Sequence, residues 1–311
     1  MSATDFRFQF ACAPVSWGVQ DDPGPGWEQP YEQVLSEIAA AGYTGTELGP
    51  YGYFPVDPQV LAPKLDQFRL TLLSSFVPVP LAGAAQSKTV VDHVRTVGAL
   101  LAALKAPLLV LADRQTPVRQ QLAGRVPLDG TQSLRPQQWR EAGRMIEEVE
   151  KAVSDFGLKL VFHPHAGTYV ETPWEVERLF DSLHSSRVGL CLDTGHCIYG
   201  GGDPVDEARK YRGLLQYLHL KDINANKLAE ARQTKLAFNQ AVGIGVFAQI
   251  GEGCIGFAEF FREVAAAQYS GWAVVEQDVI YGNAALPPRE RMRASLQYLQ
   301  KMLADQGIAN R

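Results

Sequence analysis

Four of the six histidines lie where a short apolar run gives way to polar groups. The runs read LKLVFHPH, VGLCLDTGH, LQYLHLKD and WAVVEQD, and they carry His163, His165, Asp193, His196, His219, Lys221 and Glu276. Imidazoles and carboxylates brought together suit a divalent cation such as Mn²⁺, Co²⁺, Fe²⁺ or Zn²⁺, whereas an all-oxygen set suits Mg²⁺ or Ca²⁺. A catalytic cation keeps positions open for substrate, and beside acid and base groups it suits proton removal next to a carbonyl. The competing reading is a buried polar network without metal. His93 and His184 fall on predicted helices and read as helix histidines.

These side chains must be held by regular elements. Short β-branched or apolar runs at 8–15, 45–48, 70–77, 107–112, 159–165, 188–193, 215–221 and 272–277 predict eight strands. Between them, amphipathic stretches at 31–41, 58–68, 88–104, 136–156, 173–183, 204–211, 257–267 and 287–303 predict helices. Several start with Pro in the first turn, where its missing N–H costs nothing, and Gly42, Gly157 and Gly271 mark helix ends. Eight βα units with no linker or low-complexity tract predict one α/β domain over residues 1–311, a (β/α)8 TIM barrel with its site at the C-terminal face of the strands. Alternation sends residues i and i+2 to one side, so Tyr217, His219 and Lys221 share a face, as do His163 and His165. Two connections, 113–135 and 223–256, exceed what a barrel needs and read as substrate walls or lids.

Composition narrows the partners. Lys and Arg number 29 against 34 Asp and Glu, a net charge of −5, which argues against a nucleic-acid groove built on bulk positive charge. No run approaches the roughly 18 apolar residues of a membrane span, and the N-terminus lacks a basic and apolar leader, which points to the cytoplasm. Cys12, Cys191, Cys197 and Cys254 form no CxxC pair and read as reduced, mostly buried thiols. The run DDPGPG, residues 21–26, reads as a rim loop. GxGxxG is absent, and Gly243-Ile244-Gly245 alone does not make a nucleotide site.

The strand order, DTGH, HLKD, GEGCIGF at 251–257 and VVEQD at 274–278 resemble the xylose isomerase-like barrels, a superfamily of sugar epimerases, hydroxypyruvate isomerase, endonuclease IV and inosose dehydratases. Together with HPHAGT at 163–168, the set looks most like the inosose dehydratases. The resemblance implies a divalent metal, Mn²⁺ or Co²⁺ first and Zn²⁺, Fe²⁺ or Mg²⁺ next, held from strands five to eight. Asp193, His219 and Glu276 supply three ligands. Alignment on Glu171-Thr172 puts the fourth at His165, with His163 two residues away as the alternative. The epimerase branch has Glu there, so this site is less anionic and a stronger Lewis acid.

The reaction so implied is dehydration of 2-keto-myo-inositol to 3D-(3,5/4)-trihydroxycyclohexane-1,2-dione through a metal-stabilised enediolate, in inositol catabolism. Its rivals are a metal-dependent ketose epimerase or isomerase and a non-catalytic polyol-binding barrel. Glu171, His196, Lys221 and His163 are the candidate acid–base groups. Glu171 could instead cap a helix, His196 could orient Asp193, and Lys221 could pair with Asp222 or Glu252. Trp17, Glu47 and Glu252 are the candidate substrate contacts, although Trp17 could only close the barrel mouth and Glu47 could pair with an Arg. The expected partner is a small polyol or keto-cyclitol, with no nucleic acid and no membrane. A homo-oligomer is allowed.

Overall fold

The computed structural model describes residues 7–21, 24, 26–127, 129–184, 187–282 and 286–310. The expected rim loop at 21–26 lies partly outside them, and the first six residues of the expected leader-free N-terminus wholly so. Twelve strands are present among the described residues: β1 Arg7–Cys12, β2 Gly45–Thr46, β3 Thr71–Leu72, β4 Phe76–Val79, β5 Leu108–Asp113, β6 Lys159–His163, β7 Gly189–Asp193, β8 Leu215–Leu220, β9 Asp222–Ile223, β10 Phe247–Ala248, β11 Gly271–Val275 and β12 Ala309–Asn310.

The main sheet runs β3-β2-β1-β11-β8-β7-β6-β5-β4, all parallel. Its two end strands, β3 and β4, are halves of the predicted strand at 70–77, broken at Leu73–Ser75. The carbonyl of Ser74 accepts from Leu48 N–H at 2.8 Å on one side, and that of Ser75 accepts from Val110 N–H at 3.1 Å on the other. The break therefore closes the sheet into the expected barrel.

Two cores follow from strand alternation. One, rich in Leu, Val and Phe, lies between the strands and the surrounding helices. The other is small and fills the lumen with Ala11, Val110, Val161, Cys191, Tyr217 and Val274. Two residues on from Val161, Cys191, Tyr217 and Val274 come His163, Asp193, His219 and Glu276, so the lumen face runs straight into the polar cluster.

The helices begin as read, at Tyr31 and Pro58 without shift. Thr172 caps Pro173–Asp181 by accepting from Glu175 N–H, with Glu175 answering at Thr172 N–H. That helix ends before His184, which is therefore not a helix residue. The two long connections are structured. The first carries the helix Pro117–Leu122, and the second carries Ala225–Gln233, Phe238–Gly243 and the β9–β10 hairpin. Phe238, Phe247, Tyr199, Leu228 and Val242 give the second connection its own apolar core, a roof on the C-terminal face of the barrel.

GEGCIGF is explained by Asp222. Its carboxylate accepts from the backbone N–H groups of Ile223, Gly251, Gly253 and Ile255 at 2.9–3.1 Å. A Cβ on Gly253 would stand 2.1 Å from Asp222 Oδ1, so only glycine admits this wrap. No helix among the described residues is long and apolar enough to cross a membrane. Cys12 and Cys191 are buried, Cys197 is half-buried and Cys254 is exposed; all four are free thiols.

Candidate active site

The lumen face delivers Glu47, His163, His165, His219, Lys221, Glu276 and Asp278 to one pocket, whose walls include Phe76, Gln115, Phe238 and Asn239. Lys221 is its electrostatic centre. Nζ lies 2.9 Å from Asp193 Oδ2, 2.5 Å from Glu276 Oε2 and 3.5 Å from Asp278 Oδ1, all buried. Burial works against the ammonium, but the carboxylates of Asp193, Asp278 and Glu276 outweigh it and hold the Lys221 pKa well above the usual lysine range. The expected alternatives, Asp222 and Glu252, are not its partners.

Asp193 ends β7 and also caps the short helix Thr194–Tyr199. Oδ1 accepts from His196 N–H at 2.8 Å, while Oδ2 faces Lys221 and stands 3.4 Å from His163 Nε2. Despite burial, the Lys221 ammonium, with His196 and His163 adding to it, keeps this carboxyl well below its usual range. His219 is held between two carboxylates, with Nε2 3.0 Å from Glu47 Oε1 and Nδ1 3.2 Å from Glu276 Oε2. Ser74 Oγ donates to the same Glu47 oxygen at 2.6 Å. Glu47 thus pairs with a histidine and a serine.

The imidazoles of His163, His165 and His196 are held in the neutral form. Burial lowers the pKa of His163, carries that of His196 well below the usual range, and, with His163 and Lys221 adding to it, takes His165 down to about 3. His165 lies two residues past the end of β6. Its Nδ1 is 2.8 Å from the Ala166 carbonyl, which makes Nδ1 the protonated nitrogen and leaves the lone pair on Nε2. Its ring lies 3.7 Å, centroid to centroid, from that of His196, and the roof residue Phe238 packs against both.

Three expected residues are placed elsewhere. Trp17 is buried beside the barrel, its Nε1–H donating to Glu37 at 2.7 Å. Glu252 is exposed on a separate groove near Lys227 and Arg291. The Glu171 carboxylate accepts from Gly124 N–H at 2.6 Å and from Gly167 N–H at 2.7 Å, tying the two loops together outside the pocket. Burial, only partly offset by those two bonds, pushes its pKa up to about 7.

Candidate cation donors cluster by geometry. The ligand atoms of His163, Asp193 and His196 lie within 4.8 Å of one another, and so do those of Glu47, His219 and Glu276, of His165, His196 and Asp278, and of His163, Cys191 and His219. His163 Nδ1 and His196 Nε2 are buried without a hydrogen-bond partner. Orphaned neutral imidazoles beside carboxylates are the donor set of a divalent transition metal, and the residues present fit one.

The family model for the xylose isomerase-like TIM barrel matches residues 35–302. The chain belongs to that family. An inosose dehydratase of Geobacillus kaustophilus is 34% identical over 89% of this chain and 90% of its own length. A rhizopine catabolism protein, MocC, of Rhizobium meliloti is 35% identical over 87% and 81%. Among solved structures, a D-allulose 3-epimerase from Methylomonas sp. superposes with a TM-score of 0.70 at 14% identity, covering 96% of this chain and 99% of that one, which bears on the fold.

Within this xylose isomerase-like frame, sequence reasoning missed Asp278, Gln115 and the aromatic walls. Asp278 had a signal, since it lies two residues beyond Glu276 on the same face. Burial raises its pKa to about 6 in spite of Lys221, and Oδ2 lies 3.5 Å from His196 Nε2. Gln115 and Phe238 arrive on the two long connections expected to form walls, although nothing local singles out these two residues, and Phe76 arrives through the strand break, which no local pattern marks.

Proposed function

We propose that this protein is a metal-dependent hydro-lyase that converts 2-keto-myo-inositol to 3D-(3,5/4)-trihydroxycyclohexane-1,2-dione. The observation that carries the reading is a pocket in which a buried ammonium, neutral imidazoles and groups able to hold a cation meet, in a chain about a third identical to inosose dehydratases over nearly its full length.

The proposed ligands are Asp193, His219, Glu276 and a histidine of the HPH run, with Mn²⁺ or Co²⁺ as the ion. What supports His163 over His165 is its place at the end of β6, 3.4 Å from Asp193, with its ring 4.9 Å from that of His219. When bound, the ion supplies Lewis-acid stabilisation of the charge that proton removal leaves on the substrate oxygens.

The chain's own groups do the proton work. His165 Nε2, with its lone pair fixed by the Nδ1 bond to Ala166, takes the proton from the carbon next to the ketone. The hydroxyl on the following carbon departs as water with a proton from Lys221 Nζ, and the resulting enol becomes the dione. His165 then returns its proton to Lys221. Phe76 and Phe238 face the C–H side of the ring, while Gln115, Asn239 and Glu47 are placed for its hydroxyls. Glu171 is assigned a positioning role through Gly124 and Gly167.

The test is to incubate Mn²⁺- or Co²⁺-loaded protein with 2-keto-myo-inositol and follow the ultraviolet absorbance of the dione, with a chelator-treated control. Metal-dependent growth is expected. No growth from the metal-bound protein, with conversion of a ketose instead, overturns the reading in favour of an epimerase.

A further inference from the structure

We propose that Lys221 and the divalent cation are alternative partners of one pair of carboxylates, so that Lys221 sets the affinity of the site for metal and is turned to the substrate when metal binds. The inference rests on the metal reading above. The Lys221 ammonium bridges Asp193 Oδ2 at 2.9 Å and Glu276 Oε2 at 2.5 Å. A first-row divalent ion bonds carboxylate oxygen at about 2.0–2.2 Å. An ion bonded to Glu276 Oε2 would therefore stand at most about 4.7 Å from Nζ as placed, with no layer of water to screen two like charges.

The donor groups carry the same pattern. Asp193 clusters with His163 and His196, and Glu276 clusters with Glu47 and His219, but among the described residues no cluster holds both carboxylates. Lys221 is the group that spans them. Recruiting both to one ion requires the ammonium to leave at least one of them. Asp278, 3.5 Å away, and the substrate pocket that Lys221 already lines are the two directions open to it. Cation loading thereby frees the proton donor that the dehydration needs.

Isothermal titration of Mn²⁺ into metal-stripped wild type, Lys221→Met and Lys221→Arg tests this at fixed pH, with circular dichroism to check folding. Lys221→Met is expected to bind Mn²⁺ at least tenfold more tightly than wild type, and Lys221→Arg no more tightly. Unchanged or weaker binding by a folded Lys221→Met overturns the inference while the metal reading stands. Binding by neither wild type nor Lys221→Met overturns both. Should Lys221→Met fail to fold, Lys221→Gln is titrated with the same criteria.

Discussion

Gly195 and Lys221 are packed so closely that a Cβ on the glycine would stand 2.6 Å from the Cβ of the lysine. The third residue of DTGH therefore leaves room for the Lys221 side chain to reach Asp193 and Glu276. Gly195→Ala must displace either Lys221 or the Thr194–Tyr199 helix, at a cost of about 1–3 kcal/mol for overpacking. The expected outcome is a folded protein whose kcat falls about 100-fold, since small misplacements of an acid–base group are that damaging. Full activity in Gly195→Ala would mean that the Thr194–Tyr199 helix gives way and Lys221 keeps its place.

The two histidines of the HPH run should separate metal binding from proton transfer. His163→Ala is expected to weaken Mn²⁺ affinity about 10- to 100-fold, whereas His165→Ala lowers kcat with metal affinity largely kept. Titration of metal into both variants, followed by turnover at saturating metal, distinguishes them. The reverse ranking moves the ligand to His165.

Removing a carboxylate that is proposed as a ligand should silence turnover without unfolding the barrel. Asp193→Asn keeps an oxygen to accept from His196 N–H, so the cap survives, and Glu276→Gln keeps its volume. Both variants are expected to lose metal-dependent turnover and retain the wild-type circular dichroism spectrum. A metal-occupied Glu276→Gln protein with full activity contradicts the ligand assignment.

The barrel and the ends of strands five to eight were legible because both rest on short-range patterns. A buried parallel strand is a run of apolar residues, and a charged or imidazole side chain at its end stands out against that run. The i, i+2 rule then put Tyr217, His219 and Lys221 on one face of their strand and His163 with His165 on one face of theirs. What stayed hidden depends on contacts far apart in sequence. Nothing near Trp17, read as a substrate contact, announces that Glu37 takes its Nε1–H, and nothing near Glu171, read as an acid–base group, announces that Gly124, 47 residues away, claims one oxygen. The kink between β3 and β4 that brings Phe76 into the pocket has no Pro or Gly to announce it.

The 113–135 connection depends on one buried ion pair. Arg119 NH2 lies 2.9 Å from Glu175 Oε2 with both side chains shielded from water, and Arg119 NH1 donates to the Gln132 carbonyl at 3.0 Å. Glu175 also accepts from Glu171 N–H and Thr172 N–H, so the pair fastens the connection to the start of the Pro173–Asp181 helix. Arg119→Met strands a buried carboxylate and is expected to cost about 3–5 kcal/mol in urea unfolding. Adding Glu175→Gln should recover part of that loss, a coupling that a double-mutant cycle reads directly.

Glu171 should leave its mark on the pH dependence of stability. Burial raises its folded pKa to about 7 from an ordinary value of 4.5, so between those limits the native state binds more protons than the unfolded chain. Stability from this group is then full below about pH 4.5 and falls as pH rises to about 7, by about 3 kcal/mol if the group acted alone. Asp113, raised by burial to about 6, contributes in the same direction over a narrower window. Glu171→Gln cannot titrate. It is expected to be less stable at low pH, because its amide cannot accept both backbone N–H groups, yet to show a shallower decline in Tm from pH 5 to 7 than wild type. An unchanged slope in Glu171→Gln would mean that the carboxyl stays ionised in the fold, held so by Gly124 and Gly167.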